Sequence, residues 1–169
     1  MRYLIILLLL TVSCVQTKHE RELYLGELYF APLRMGSFYN VSDSVKMKFL
    51  HIMDTMNIER VDSTDRIFYE LFQKIKADGL LYKPFVDLRQ SDSTFVKLYL
   101  DSADYNKIKK YKWKDLLESG NKVTLWGRSK YLGRYGGEFR YCTELIEVEV
   151  SNGQTYPEKA WKFRIDNYE

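Results

Sequence analysis

The sequence predicts an α+β domain, a curved antiparallel sheet covered by about three helices. Two observations carry this. Apolar residues recur at helical spacing in 43–78 and 103–119, whereas 82–100 and 122–165 alternate with the period of a strand. Short turns join the strands, so they pair antiparallel, and helices segregated from such a sheet form an α+β layer.

Composition narrows the class. Hydrophobic residues make up 46% of the 169, enough to build a core and too many for a disordered chain. The 26 basic and 23 acidic residues give a net charge of +3, or +2 without Arg2. That balance does not predict a nucleic-acid partner. No repeat, low-complexity tract or linker divides residues 23–169, which read as one domain.

The first fourteen residues stand apart. Arg2 precedes the apolar run Leu4–Leu10, and Thr11-Val12-Ser13 leads into Cys14. A charged start, a short apolar stretch and small residues before a cut make a secretory signal peptide. This run is well short of the roughly 20 residues a membrane-spanning helix needs. Thr11-Val12-Ser13-Cys14 resembles the lipobox of bacterial lipoprotein precursors, departing from it at Thr11, where Leu is commonest. The resemblance implies cleavage of residues 1–13 and lipidation of Cys14 with acyl chains such as palmitate. It also implies a cell-envelope location facing the periplasm, with Val15 permitting passage to the outer membrane. Residues 14–22 are then a lipidated tether, of which the polar 15–22 can reach roughly 27 Å. Two other readings stay open: a cut after Ser13 that leaves Cys14 free to pair with Cys142, and an uncleaved anchor.

Within the domain, 23–31 is an entering strand that stops at Pro32, and 32–41 is a loop with Gly36 and Asn40 as turn residues. Ser42 or Asp43 caps a first helix, with Val45, Phe49, Ile52, Met53 and Met56 as its apolar stripe and His51 on the solvent side. A second helix begins near Asp62–Thr64 and buries Ile67, Phe68, Leu71, Phe72 and Ile75. Lys74 and Lys76 suit its C-terminal dipole, and Gly79 supplies the left-handed residue that ends it. Residues 82–89 and 94–100 form a hairpin, and Pro84 assigns its first arm to a sheet edge. Asp101 or Ser102 then caps a third helix over 103–119, closed by Gly120.

Residues 122–132 and 138–150 are long strands. Phe139, Tyr141, Thr143 and Leu145 hold odd positions, but Ile146, Val148 and Val150 hold even ones. Such a phase slip turns the apolar side outward unless a bulge absorbs it, so a bulge is predicted at 144–146. Asn152-Gly153 predicts a tight hairpin turn, returning through Pro157 to an arm with Trp161, Phe163 and Ile165 on one face. The element order over 42–166 resembles nuclear-transport-factor-2-like cones, which implies a pocket between sheet and helices.

Catalytic and metal-binding signals are lacking. His19 and His51 are the only histidines, too few for a multi-histidine zinc site and a poor basis for a histidine-centred triad. No catalytic, cofactor or metal residue is assigned. Cys142 reads as a small core residue, and Glu144, Glu147 and Glu149 as a solvated strand face. Trp113, Trp126 and Trp161 are packing residues first and sugar-stacking platforms second. The sharpest charge cluster is Lys107, Lys109, Lys110, Lys112 and Lys114, interleaved with Tyr111 and Trp113. It is a solvated helix face or a contact for an anionic surface, each lysine near such a surface contributing about 1 kcal/mol. The reading is a membrane-anchored, non-enzymatic binding or structural domain with a protein or glycan partner and no nucleic acid. The alternatives are a small pocketed enzyme using Asp, Glu or Tyr, and a toxin-neutralising immunity lipoprotein.

Overall fold

A computed structural model of the chain describes residues 23–30 and 37–153. The predicted leader with Cys14, the predicted tether with His19, Pro32, Gly36, Pro157 and the predicted arm with Trp161, Phe163 and Ile165 lie outside the described residues.

Five strands form the framework: β1 (Tyr24–Tyr29), β2 (Phe85–Arg89), β3 (Phe95–Tyr99), β4 (Asn121–Arg134) and β5 (Glu138–Asn152). They are ordered β1-β2-β3-β5-β4 and close because β1 also pairs with β4. The α+β class is as the sequence predicts. The sheet differs in two respects: it closes into a barrel, unlike an open cone, and β3 runs parallel to β5, with Val96 opposite Glu138 and Tyr99 opposite Tyr141. The connectivity is that of a five-stranded Greek-key barrel of the OB kind, a likeness of fold that carries no function with it. Pro84 marks no edge. It is buried just before β2, and β2 is paired on both sides.

Closure depends on how β5 is phased. Against β4, Trp126 faces Glu147 and Gly127 faces Leu145, so Ile146 is an extra residue. Arg128 faces Glu144 and Ser129 faces Cys142, so Thr143 is another. Each bulge advances the inward position by one. Cys142, Leu145 and Val148, three apart, therefore all face the barrel core. The predicted bulge at 144–146 is present, and the sequence showed only one of the two. The ladders approach so closely there that a Cβ on Gly127 would lie 2.2 Å from the Glu144 carbonyl oxygen.

Two cores result. Leu25, Leu28, Leu88, Val96, Leu98, Leu100, Val123, Leu125 and Cys142 fill the barrel. The second lies outside the wall, where Tyr99, Leu132 and Phe139 meet the helices α1 (Asp43–Thr55) and α2 (Ser63–Ala77). The Asp62 side chain caps α2 by accepting from the Asp65 amide at 2.8 Å. Gly79, with φ +69°, ends it as predicted. The buried stripe of α1 is narrower than predicted: Phe49, Met53 and Met56 pack inward, but Val45 and Ile52 are 43% and 57% exposed. On α2, Ile67 is likewise 51% exposed.

The predicted third helix is two, α3 (Ser102–Ile108) and α4 (Trp113–Ser119), separated at Lys109–Lys112. A continuous helix would set Lys107 against Lys110, Lys109 against Lys112 and Lys110 against Lys114, like charges at three- and four-residue spacing. The break spaces them and lets Tyr105, Ile108, Tyr111 and Leu116 all contact the barrel core. Ile108 is the plug at that end, 1% exposed.

Substitution separates close approach from backbone conformation. Gly127→Ala is expected to cost about 3 kcal/mol or more, because two paired strands must part. Gly79→Ala, where a Cβ meets nothing within 4 Å, is expected to cost about 1–2 kcal/mol from its left-handed backbone alone. Urea unfolding of the two variants checks the order; equal costs contradict the close approach.

Candidate functional site

The barrel end plugged by Ile108 collects the end of β1, the start of β2, the end of β3 and the α3–α4 turn. A cleft of about 240 Å³ opens there, lined by Leu28, Tyr29, Phe30, Phe85, Val86, Asp87, Tyr105, Ile108, Lys109, Tyr111 and Lys112. Register explains the meeting of residues distant in sequence: Tyr29 lies opposite Asp87 in the β1–β2 ladder, and α3 follows directly from β3.

All five lysines of the sequence cluster are exposed on this cap. Lys107 is held by Asp104 at 2.7 Å, and Lys110 lies 5.0 Å from the Tyr111 ring centroid, within cation–π range. Lys109 and Lys112 border the cleft, and Lys114 lies beyond it. Neither Lys109 nor Lys112 has a carboxylate within ion-pair distance among the described residues. The carboxylate in the lining, Asp87, binds Lys97 at 2.7 Å, and Lys97 sits 4.0 Å from the Phe85 ring centroid. Among the described residues, the cleft's outer charge is therefore positive.

Beside this end lies a polar cluster the sequence did not single out. Asp101 pairs with Lys83 and accepts from the Tyr141 hydroxyl at 3.1 Å, and Lys83 Nζ lies 5.3 Å from the Tyr141 ring centroid. The hydrogen bond from Lys83 holds the Asp101 carboxyl below its usual range, and the same bond raises the Lys83 ammonium. Burial, then the bond to Asp101, raises the Tyr141 phenol. Acid–base catalysis works best with a pKa near the operating pH, and all three groups are displaced away from neutrality. The cluster is a clamp joining the start of β2, the end of β3 and β5.

The other candidate residues are scattered. His51 is exposed on α1. Cys142 is a free thiol buried in the barrel, and burial pushes it up to about 11, which keeps it protonated and inert as a nucleophile. Glu144 pairs with Arg128 at 2.9 Å, and Glu149 accepts from Trp126 Nε1 at 2.9 Å, as partners on an outer strand face. Trp126 also packs edge-on against Tyr24. Trp113 is on α4, so the described tryptophans form no shared platform. Among the described residues no group of three His, Cys, Asp or Glu side chains is placed to hold a metal ion. A second space, between the barrel wall and α1–α2, is an apolar void of only about 40 Å³.

Sequence reading found the lysines and Tyr111 but missed Tyr29, Phe30, Phe85 and Tyr105. Tyr105 had a usable signal, four residues before Lys109 and so on the same helical face. The others arrive through strand pairing. Compared with family models, characterised proteins and solved structures, the chain matches none.

The clamp has a pH signature. The Asp101 value is depressed in the folded state, so its contribution is present above the unfolded value of about 3.9 and lost as pH falls through the folded one. The Lys83 value is raised, so its contribution is present below about 10.4 and lost as pH rises through the folded one. Asp101→Asn is expected to lower stability between these limits, and the difference from the native chain should shrink outside them. The pair is 33% and 52% exposed, so the loss belongs to the roughly 0.2–1 kcal/mol of surface pairs. Chemical denaturation at pH 3, 7 and 11 checks it; a pH-independent difference contradicts the assignment.

Proposed function

We propose that the chain is an envelope lipoprotein, anchored through Cys14, whose barrel binds a protein or glycan partner and carries out no catalysis. The observation that carries this reading is the basic cap: five exposed lysines on α3, α4 and their turn, two of them bordering an aromatic cleft. The leader supports the anchor. The chain enters the barrel at Tyr24, and the cleft lies at the other end of β1, past Tyr29. Those five steps span roughly 17 Å, so the cap is set apart from the point where the tether joins the domain. Anionic lipid or lipopolysaccharide head groups are the other surface these lysines can meet. The clamp at Asp101 is the nearest thing to acid–base machinery, and its displaced pKa values favour binding over chemistry. Toxin neutralisation is one form such binding can take.

Both parts are tested on the full chain extracted from membranes. Its intact mass is expected to give an N-terminal Cys14 carrying acyl groups; a bare Cys14 terminus or a retained Met1 leader contradicts the anchor. The same chain, immobilised, is expected to retain envelope components that are lost when Lys107, Lys109, Lys110, Lys112 and Lys114 become Gln. Retention should also fall with salt, since exposed charges are screened beyond about 8 Å at physiological ionic strength. Equal retention by both chains at low salt contradicts the binding reading.

A further inference from the structure

We infer that the cleft is a subsite for a single sugar ring bearing an anionic group, a carboxylate or a phosphate. This rests on the binding reading above and names its ligand. Size is the first constraint: about 240 Å³ lies below the roughly 300–1,000 Å³ of pockets that take drug-sized molecules. The space suits one ring, and the Ile108 plug and Leu28 close its floor against a longer insertion.

The walls define the ring. Tyr105 and Tyr111 come from the cap, Tyr29 and Phe85 from the barrel rim. An aromatic face carries partial negative charge and attracts the polarised C–H groups on the face of a pyranose. Phenol hydroxyls at the wall edges can exchange hydrogen bonds with ring hydroxyls.

Charge supplies the anionic group. Lys109 and Lys112 stand at the mouth with no carboxylate in ion-pair range among the described residues, and Asp87 is neutralised by Lys97. A positive rim over low-dielectric walls focuses the field on an entering anion. A peptide fits less well. Strand addition needs a free sheet edge, and the described sheet is closed; a docked helix needs a long groove, which a ring-sized pit does not provide.

The test uses the full chain in detergent, with glucuronic acid, glucose 6-phosphate, glucose and inorganic phosphate as separate probes, followed by saturation-transfer NMR. At least one charged sugar is expected to bind at least tenfold more tightly than both glucose and inorganic phosphate. The preference between glucuronic acid and glucose 6-phosphate tells a carboxylate source from a phosphate source. Lys109→Gln with Lys112→Gln should weaken the charged sugar about tenfold and bring it near glucose. Both lysines are exposed, so this variant keeps its fold; Tyr111→Ala is a second variant, read only if its melting profile is native. Inorganic phosphate matching the sugars, charged sugars no better than glucose, or affinity unchanged in the lysine variant each overturn the inference. Loss of envelope retention in the five-lysine variant without sugar binding sinks the sugar and keeps the binding reading; unchanged retention sinks both.

Discussion

The rest of the structure depends on the phase of β5. A strand presents alternate residues to one side, so a run that must bury Cys142, Leu145 and Val148 cannot be regular. The extra residues Thr143 and Ile146 resolve the conflict by resetting the alternation twice within five positions. Each bulge also bends and twists the ribbon. The bent β4–β5 ribbon reaches β3 on one side through β5 and β1 on the other through β4. Closure follows, and with it an end that needs a plug. Ile108 fills it, which fixes α3, the lysine turn and the cleft between turn and rim.

Magnitudes show which contacts hold this arrangement. Leu88, Leu98, Leu100 and Leu125 are fully buried in the barrel, and burying such a side chain contributes roughly 1.5–3 kcal/mol. The surface ion pairs, among them Lys107–Asp104 and Arg128–Glu144, contribute about 0.2–1 kcal/mol each at best. The fold is therefore held by apolar packing on both sides of the wall, and the cap's charge is free to serve recognition. The barrel wall separates the two cores, so the helices α1 and α2 cover its outer face without reaching the cleft's lining.

Legibility in the sequence followed locality. The start of α2 near Asp62 and the left-handed Gly79 that ends it were readable because they involve residues within one turn of each other. Ser42 and Asp101, expected to cap α1 and α3, make no side-chain cap hydrogen bond. The bulge near Ile146 was readable because a phase slip along one strand is a local contradiction. Closure was not: it rests on β1 meeting β4, residues such as Glu27 and Thr124 that no short-range pattern connects. The parallel pairing of β3 and β5 was hidden for the same reason. Helical period alone overextended the third helix, because it weighs apolar spacing and ignores five like charges on one short segment. At the site, the lysines stood out as a run, whereas the walls of the cleft come from three separate stretches brought together by register.

Hydrogen exchange in β1 tests the closed barrel most directly. The strand pairs with β2 through Glu27, Leu28 and Tyr29 and with β4 through Tyr24, Gly26 and Glu27. If β1 is the closing strand, the hydrogen-bonded amides of both ladders should exchange only through global unfolding, at the same free energy as the slowest amides of β5. Exchange of β1 amides orders of magnitude faster than those of β5 would mean that the strand opens on its own. The barrel, its plug and the cleft at its rim would then not be one unit.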